Sequence, residues 1–232
     1  MAIEGEEDVW PETIVAAAAA AAERWPVAPA LIENGVTKTF AELWRETRAA
    51  ASAFLARGVK PGDRVAIWAP NIGAWILAAL GAQACGAVLI PLNTRYKGEE
   101  TGEILRRARV IMLFTMRDFL GTDYRALLNG QSLPDLRETV TFEDWEAFVA
   151  SGNGADDRAV DAALTDRHGD ELSDIIFTSG TTGAPKGVMT VHAQVTRIFG
   201  DWAVRVDLRE GDRHLIVNPF FHTFGYKAGW VA

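Results

Sequence analysis

Cysteine is almost absent from the 232-residue chain, and Cys85 is the only one. It has no partner for an internal disulfide, and its place in an apolar helical pattern marks it as a small core residue rather than a catalytic thiol. Histidine is scarce, with four in the chain, and no spacing of His, Cys or carboxylates has the form of a zinc site. Basic runs are missing. With a net charge of −8 there is little electrostatic reason to bind nucleic acid or an anionic membrane. Long hydrophobic stretches are missing too. The alanines at 16–22 approach the length of a signal-peptide core, but Glu4, Glu6, Glu7 and Asp8 stand where positive charge is required. They read instead as a helix between Trp10-Pro11 and Trp25-Pro26. No other segment nears membrane-spanning length, so a cytoplasmic protein without membrane insertion is expected.

What remains is a composition of 49% hydrophobic and 23% charged residues, enough to bury a sizeable core in one large or two small domains. The middle of the chain alternates strand and helix. Short apolar, β-branched runs at 64–69, 88–92 and 110–115 alternate with helical spacing at 71–85 and 97–108. In the last of these, Glu99, Glu100 and Glu103 precede Arg106 and Arg107, an order that favours the helix dipole. This βαβαβ pattern predicts an α/β fold, a parallel sheet flanked by helices. Residues 39–55 form a further amphipathic helix, with Leu43, Thr47, Ala50 and Phe54 near one face and Gly58 ending it. Between 121 and 167 the pattern weakens into turn signals and a surface connection, with one short helix around 142–149.

The most informative segment is Ile175-Ile176-Phe177-Thr178-Ser179-Gly180-Thr181-Thr182-Gly183-Ala184-Pro185-Lys186-Gly187. An apolar strand empties into hydroxyls, glycines and a lysine, the makings of a polyphosphate clamp. Gly180, Gly183 and Gly187 let backbone N–H groups approach an anion. Ser179, Thr181 and Thr182 add hydroxyl donors, and Lys186 adds a mobile cation beside the stiff Pro185. The Walker-type loop fails on spacing, because its second glycine would fall on Pro185.

Residues 178–187 resemble the signature loop of the adenylate-forming superfamily, the AMP-binding enzymes that include acyl-CoA synthetases. Asn218-Pro219-Phe220-Phe221-His222-Thr223-Phe224-Gly225 is similar to the second core motif of the acyl-CoA synthetase branch. Gly62-Asp63-Arg64-Val65-Ala66-Ile67 and Gly86-Ala87-Val88-Leu89-Ile90-Pro91-Leu92-Asn93 resemble its early core segments. The resemblance covers residues 37–232. It implies an ATP-dependent acid–CoA ligase, with ATP, Mg2+ and coenzyme A as cofactors or co-substrates and a small-molecule carboxylic acid as partner. Thr178, Ser179, Gly180, Thr181, Thr182, Gly183, Ala184, Pro185 and Lys186 would hold the departing phosphates, with Thr182 toward the metal. His222 would contact the reacting carboxylate as the catalytic residue, with Phe224 and Gly225 beside it in the acid pocket. His192 either borders the nucleotide or is an exposed helix residue. Lys227 reads as a snorkelling surface lysine, with contact to an oxygenated substrate or CoA as second reading.

Residues 220–229 contain no Asp or Glu, whereas related amino-acid-activating domains place an aspartate there. The aromatic and small residues suit an apolar or cyclic acid. Asp118-Phe119-Leu120-Gly121-Thr122-Asp123-Tyr124, taken with residues 220–229, is similar to bacterial CoA ligases that act on the propionate side chain of a partly degraded steroid ring system. Medium-chain fatty acids are the competing substrate. A non-catalytic nucleotide-binding module is the competing class. The adenine, ribose and C-terminal lysine groups of the resembling enzymes have no candidates here. Residues 1–232 are thus expected to be an incomplete N-terminal AMP-binding domain, inactive by itself. Uncovered apolar surface on such a piece favours association into a homo-oligomer.

Overall fold

The structure, a computed structural model, describes residues 10–152, 157–178 and 185–232. Helix α1 (Ile14–Arg24) starts at Thr13, whose hydroxyl accepts the Ala16 N–H at 3.0 Å, as an N-cap requires. β1 (Pro29–Glu33) and β2 (Val36–Thr39) pair antiparallel around Asn34-Gly35, both at positive φ, the conformation of a two-residue hairpin turn. This hairpin was not expected from the sequence. Helix α2 (Phe40–Ala56) follows through a reciprocal cap. The Thr39 N–H donates to the Glu42 carboxylate at 2.8 Å, and the Glu42 N–H donates to the Thr39 hydroxyl at 3.2 Å.

The main sheet is built from β3 (Arg64–Ile67), β4 (Val88–Pro91), β5 (Val110–Thr115), β6 (Glu138–Thr141), β7 (Leu172–Thr178) and β8 (Lys186–Val191). Its order is β6-β5-β3-β4-β7-β8, with every neighbouring pair parallel except β7–β8, which is antiparallel. The expected α/β architecture is present. Two corrections apply to the stretch read as a surface connection. Residues 138–141 complete the sheet edge as β6, and residues 157–165 form a helix. Their polar sequences gave no strand or helix period strong enough to separate them from loop.

Strand residues alternate between two cores, as a pleated sheet covered on both faces requires. Val65, Ile67, Leu89, Met112 and Phe114 join α1, α2 and α3 (Gly73–Ala84) on one face. Ala66, Trp68, Ile90 and Leu113 join Ile104 and Leu105 of α4 (Gly98–Ala108) on the other. α3 is buried nearly all round and lies so close to α2 that a Cβ on Gly81 would sit 2.6 Å from Ala50 Cβ. Phe54, Phe114 and Phe148 of α5 (Trp145–Ala150) meet at ring distances of 5.0–5.4 Å, and burying each ring contributes about 1.5–3 kcal/mol. α6 (Asp157–Thr165), α7 (His192–Arg205), the single turn α8 (Thr223–Gly225), a π-helical turn (Tyr226–Val231) and two 3-10 turns (Ala126–Leu128 and Phe142–Asp144) complete the described elements.

Because β3 to β7 run parallel, their C-terminal residues Ile67, Pro91, Thr115, Thr141 and Thr178 end at one edge of the sheet. The connections from β3 and β4 leave this edge for opposite faces, through α3 and α4. In open α/β sheets that is where ligands bind.

Candidate functional site

The apolar run of β7 places Thr178 at the edge where the parallel strands end, and β8 turns back so that Lys186 is its register partner. Both residues are exposed. The Thr178 hydroxyl reaches the Lys186 carbonyl at 3.5 Å and closes the stem of the hairpin. Phe177 faces Gly187, where a Cβ would lie 2.7 Å from Ile175 Cγ2. The stem admits no side chain at that position without a shift. Ser179, Gly180, Thr181, Thr182, Gly183 and Ala184 lie outside the described residues. The described part of the stem, 175–178 and 185–190, carries Lys186 and hydroxyls but no carboxylate. That donor set fits a polyphosphate.

The second segment is anchored from the loop between β3 and α3. Asn71 donates its side-chain amide to the Asn218 carbonyl and accepts the Phe220 N–H, both at 2.8 Å. Phe220 is buried edge-on against Trp75 at 5.5 Å. His222 is exposed, and its Nδ1 accepts the Phe224 N–H at 3.4 Å as the cap of α8. The turn is tight: a Cβ on Gly225 would stand 2.1 Å from the Pro219 carbonyl oxygen and 2.4 Å from that of Asn218. Phe224 is 56% exposed, so its ring is presented outward beside the histidine.

Lys227 departs from the expected snorkelling lysine. Its side chain is 5% exposed, and Nζ lies 2.9 Å from Oδ1 of Asp174, whose carboxyl is fully buried on β7. Nζ also donates to the Thr190 hydroxyl of β8 at 3.0 Å. The Ser173 hydroxyl donates to Asp174 Oδ2 at 2.7 Å. Gln83 of α3 donates to the Tyr226 hydroxyl at 2.8 Å and to the Ser173 carbonyl at 3.1 Å. Burial raises the Asp174 carboxyl above its ordinary value against the pull of Lys227. Desolvation, then the Asp174 charge, holds the Tyr226 phenol well above its usual range. The π-helical segment thus turns the lysine inward onto β7 and β8 rather than out to solvent.

His192 also differs from both readings. It is the first residue of α7, is 1% exposed, and its Nδ1 accepts the Ile14 N–H at 3.3 Å. Burial, with Arg167 nearby, pushes its pKa down to about 4, so it is a neutral core residue. Cys85 is buried as expected, with desolvation pushing its thiol up to about 12. Among the described residues no His, Cys, Asp or Glu cluster could hold a metal, and no helix is long and apolar enough to cross a membrane.

Two residues of the site escaped sequence reading. Asp174 carried a signal, a carboxylate in an otherwise apolar strand, which demands a partner when buried. Asn71 carried none, since an asparagine after a strand has many local uses.

A family model described as AMP-binding enzyme matches residues 18–232. The chain is 42% identical over 226 residues to a 7a-methyl-1,5-dioxo-octahydroindenyl propanoyl:CoA ligase of Mycobacterium tuberculosis, covering 95% of this chain and 44% of that protein. It is 38% identical to the ligase of the same name from Rhodococcus jostii, covering 95% of this chain and 45% of the relative. Against human medium-chain acyl-CoA ligase ACSF2 the identity is 30%, over 90% of this chain and 38% of the relative. The chain therefore spans less than half the length of these relatives. The inhibitor-bound N-terminal domain of FACL13 from Mycobacterium tuberculosis superposes with a TM-score of 0.83 at 28% identity, over 94% of this chain and 54% of that one.

Proposed function

The chain belongs to the AMP-binding enzyme family, and on that premise we propose an activity for the protein that carries it. This protein joins a hydrophobic or cyclic carboxylic acid to ATP, giving an acyl-adenylate and pyrophosphate. It then passes the acyl group to the thiol of CoA. The acid we favour is a propionate on a partly degraded steroid ring, which the names of two relatives support. We assign the activity to this chain joined to the remaining length of its relatives, with residues 1–232 as the N-terminal part of the AMP-binding domain, in a cytoplasmic enzyme.

The observation that carries the proposal is the antiparallel stem that sets Thr178 opposite Lys186 at the ligand-binding edge. In the first step the acid's carboxylate oxygen forms a bond to the α-phosphorus as the bond to pyrophosphate breaks, so catalysis consists of alignment and charge neutralisation. Lys186 would neutralise charge growing on the departing phosphates. Ser179, Gly180, Thr181, Thr182, Gly183, Ala184 and Pro185 are the proposed cradle. Mg2+ would share the phosphate charge, with the Thr182 hydroxyl as its candidate contact on this chain. His222 accepts the Phe224 N–H at Nδ1, which leaves Nε2 as the ring nitrogen free to face a ligand. An Nε2–H there would be a donor suited to the reacting carboxylate.

The choice against amino acids has structural support. Asp174, a carboxylate beside the acid-side segment, already faces Lys227 and is not left free for a substrate ammonium.

Acid-dependent ATP–pyrophosphate exchange by the full-length protein tests the proposal, with a steroid-ring propionate, medium-chain fatty acids and amino acids as separate substrates. Exchange strongest with the ring propionate is the expected result. Exchange strongest with fatty acids would reassign the substrate, and ATP binding without exchange would make the protein a nucleotide-binding module.

A further inference from the structure

We propose that the buried Lys227–Asp174 pair is a positioning device, which holds the acid-side segment at a fixed place against the hairpin stem that leads to the phosphate loop. The proposal rests on the assignment of those two segments made above.

Four elements meet at the pair. Asp174 and Ser173 come from β7, Thr190 from β8, Gln83 from α3, and Tyr226 and Lys227 from the turn that follows His222. Asp174 precedes Thr178 on one strand of the stem, and Thr190 follows Lys186 on the other. Lys227 therefore grips both strands of the phosphate stem from the segment that carries the histidine. Stability alone does not account for a charge pair here. Two ions removed from water are often no more stabilising than apolar side chains of the same volume. What the pair supplies that apolar packing would not is a directional link between the two reacting sides.

Lys227→Met alone leaves a buried carboxylate without its counter-ion. The informative variant is therefore Lys227→Met with Asp174→Asn, which leaves no lone charge. In the 232-residue chain, hydrogen–deuterium exchange of the double variant is expected to quicken roughly tenfold in residues 172–178 and 222–231 together, while β3 to β5 stay protected. Unchanged exchange, or a uniform rise across the chain, overturns the proposal.

In the full-length protein the same variant is expected to lower kcat of acid-dependent pyrophosphate exchange roughly 10- to 100-fold while the KM for ATP moves less than about twofold. Full activity in the double variant reduces the pair to a folding element. If the double variant does not fold, Thr190→Val decides, since it removes only a neutral hydroxyl and leaves both charges in place. Faster exchange in both segments supports the link, and unchanged exchange overturns it. Wild-type protein that activates no acid defeats the functional assignment instead, and the exchange comparison in the 232-residue chain still decides the link.

Discussion

Asn71 and Phe220 are joined by a 2.8 Å hydrogen bond from the Phe220 N–H to the asparagine Oδ1, while the other end of the same amide holds the Asn218 carbonyl. A side chain thus takes the part of a strand neighbour, satisfying backbone groups on both sides of Pro219. The loop after β3 thereby becomes a support for the segment that ends in His222.

Asn71→Ala is expected to lose both bonds and to cost about 1–2 kcal/mol, the worth of two partly exposed hydrogen bonds. The loosened segment should raise the KM for the acid in the full-length enzyme more than the KM for ATP. Urea unfolding and pyrophosphate exchange check the two parts. An equal rise in both KM values would count against a local role.

Gly225→Ala places a methyl group against two carbonyl oxygens that belong to backbone. Neither can rotate away as a side chain would, so the turn must open. The expected destabilisation is about 1–3 kcal/mol, the usual range for overpacking, with loss of the His222 cap. Thermal unfolding and the chemical shift of the Phe224 amide report both effects.

Lys186→Ala should leave the fold within about 0.5 kcal/mol of the parent, as exposed substitutions usually do. In the full-length enzyme, adenylate formation should fall on the order of 10²- to 10³-fold, the scale for removing one group that stabilises developing charge. Rapid-quench measurement of acyl-adenylate separates this from slow CoA transfer.

The buried His192 makes stability fall with acidity. Its folded pKa is about 4 against an ordinary 6.5, so between those values the unfolded chain binds the proton and the folded chain does not. Its contribution is intact above pH 6.5, declines through the window and levels off below pH 4. The loss totals about 3 kcal/mol. Unfolding free energies at pH 7, 5.5 and 4.5 should trace this decline, and His192→Asn should flatten it.

The elements legible in sequence are those with a local cause. α2 carries a Thr39–Glu42 cap, α4 an acidic start and basic end, and β5 an unbroken apolar run. β6 and α6 were hidden because Glu138, Thr139 and the polar face at 157–165 resemble loop until their packing partners are known. Residue burial was harder still. Lys227 and His192 are ordinary surface residue types whose environment is set by β7 and by α1, which lie far away in the chain. Of the candidate site, the segments at 175–187 and 218–225 were marked out by residue type and order, while the return strand β8 was not. The contacts that tie them together, at Asn71 and Asp174, were not, since each depends on a neighbour brought near only by folding.

The reversal of direction between β7 and β8 governs chain entropy. A parallel successor to β7 would need a crossover of a dozen or more residues and would start at the opposite edge of the sheet. Here Thr178 and Lys186 are already in register, so the segment between them begins and ends at fixed, adjacent points before any nucleotide arrives. Most of the closure entropy of that loop is therefore spent during folding. An insertion within 179–184 should weaken binding, because it lengthens the span between those two points, while leaving the melting temperature of the sheet unchanged.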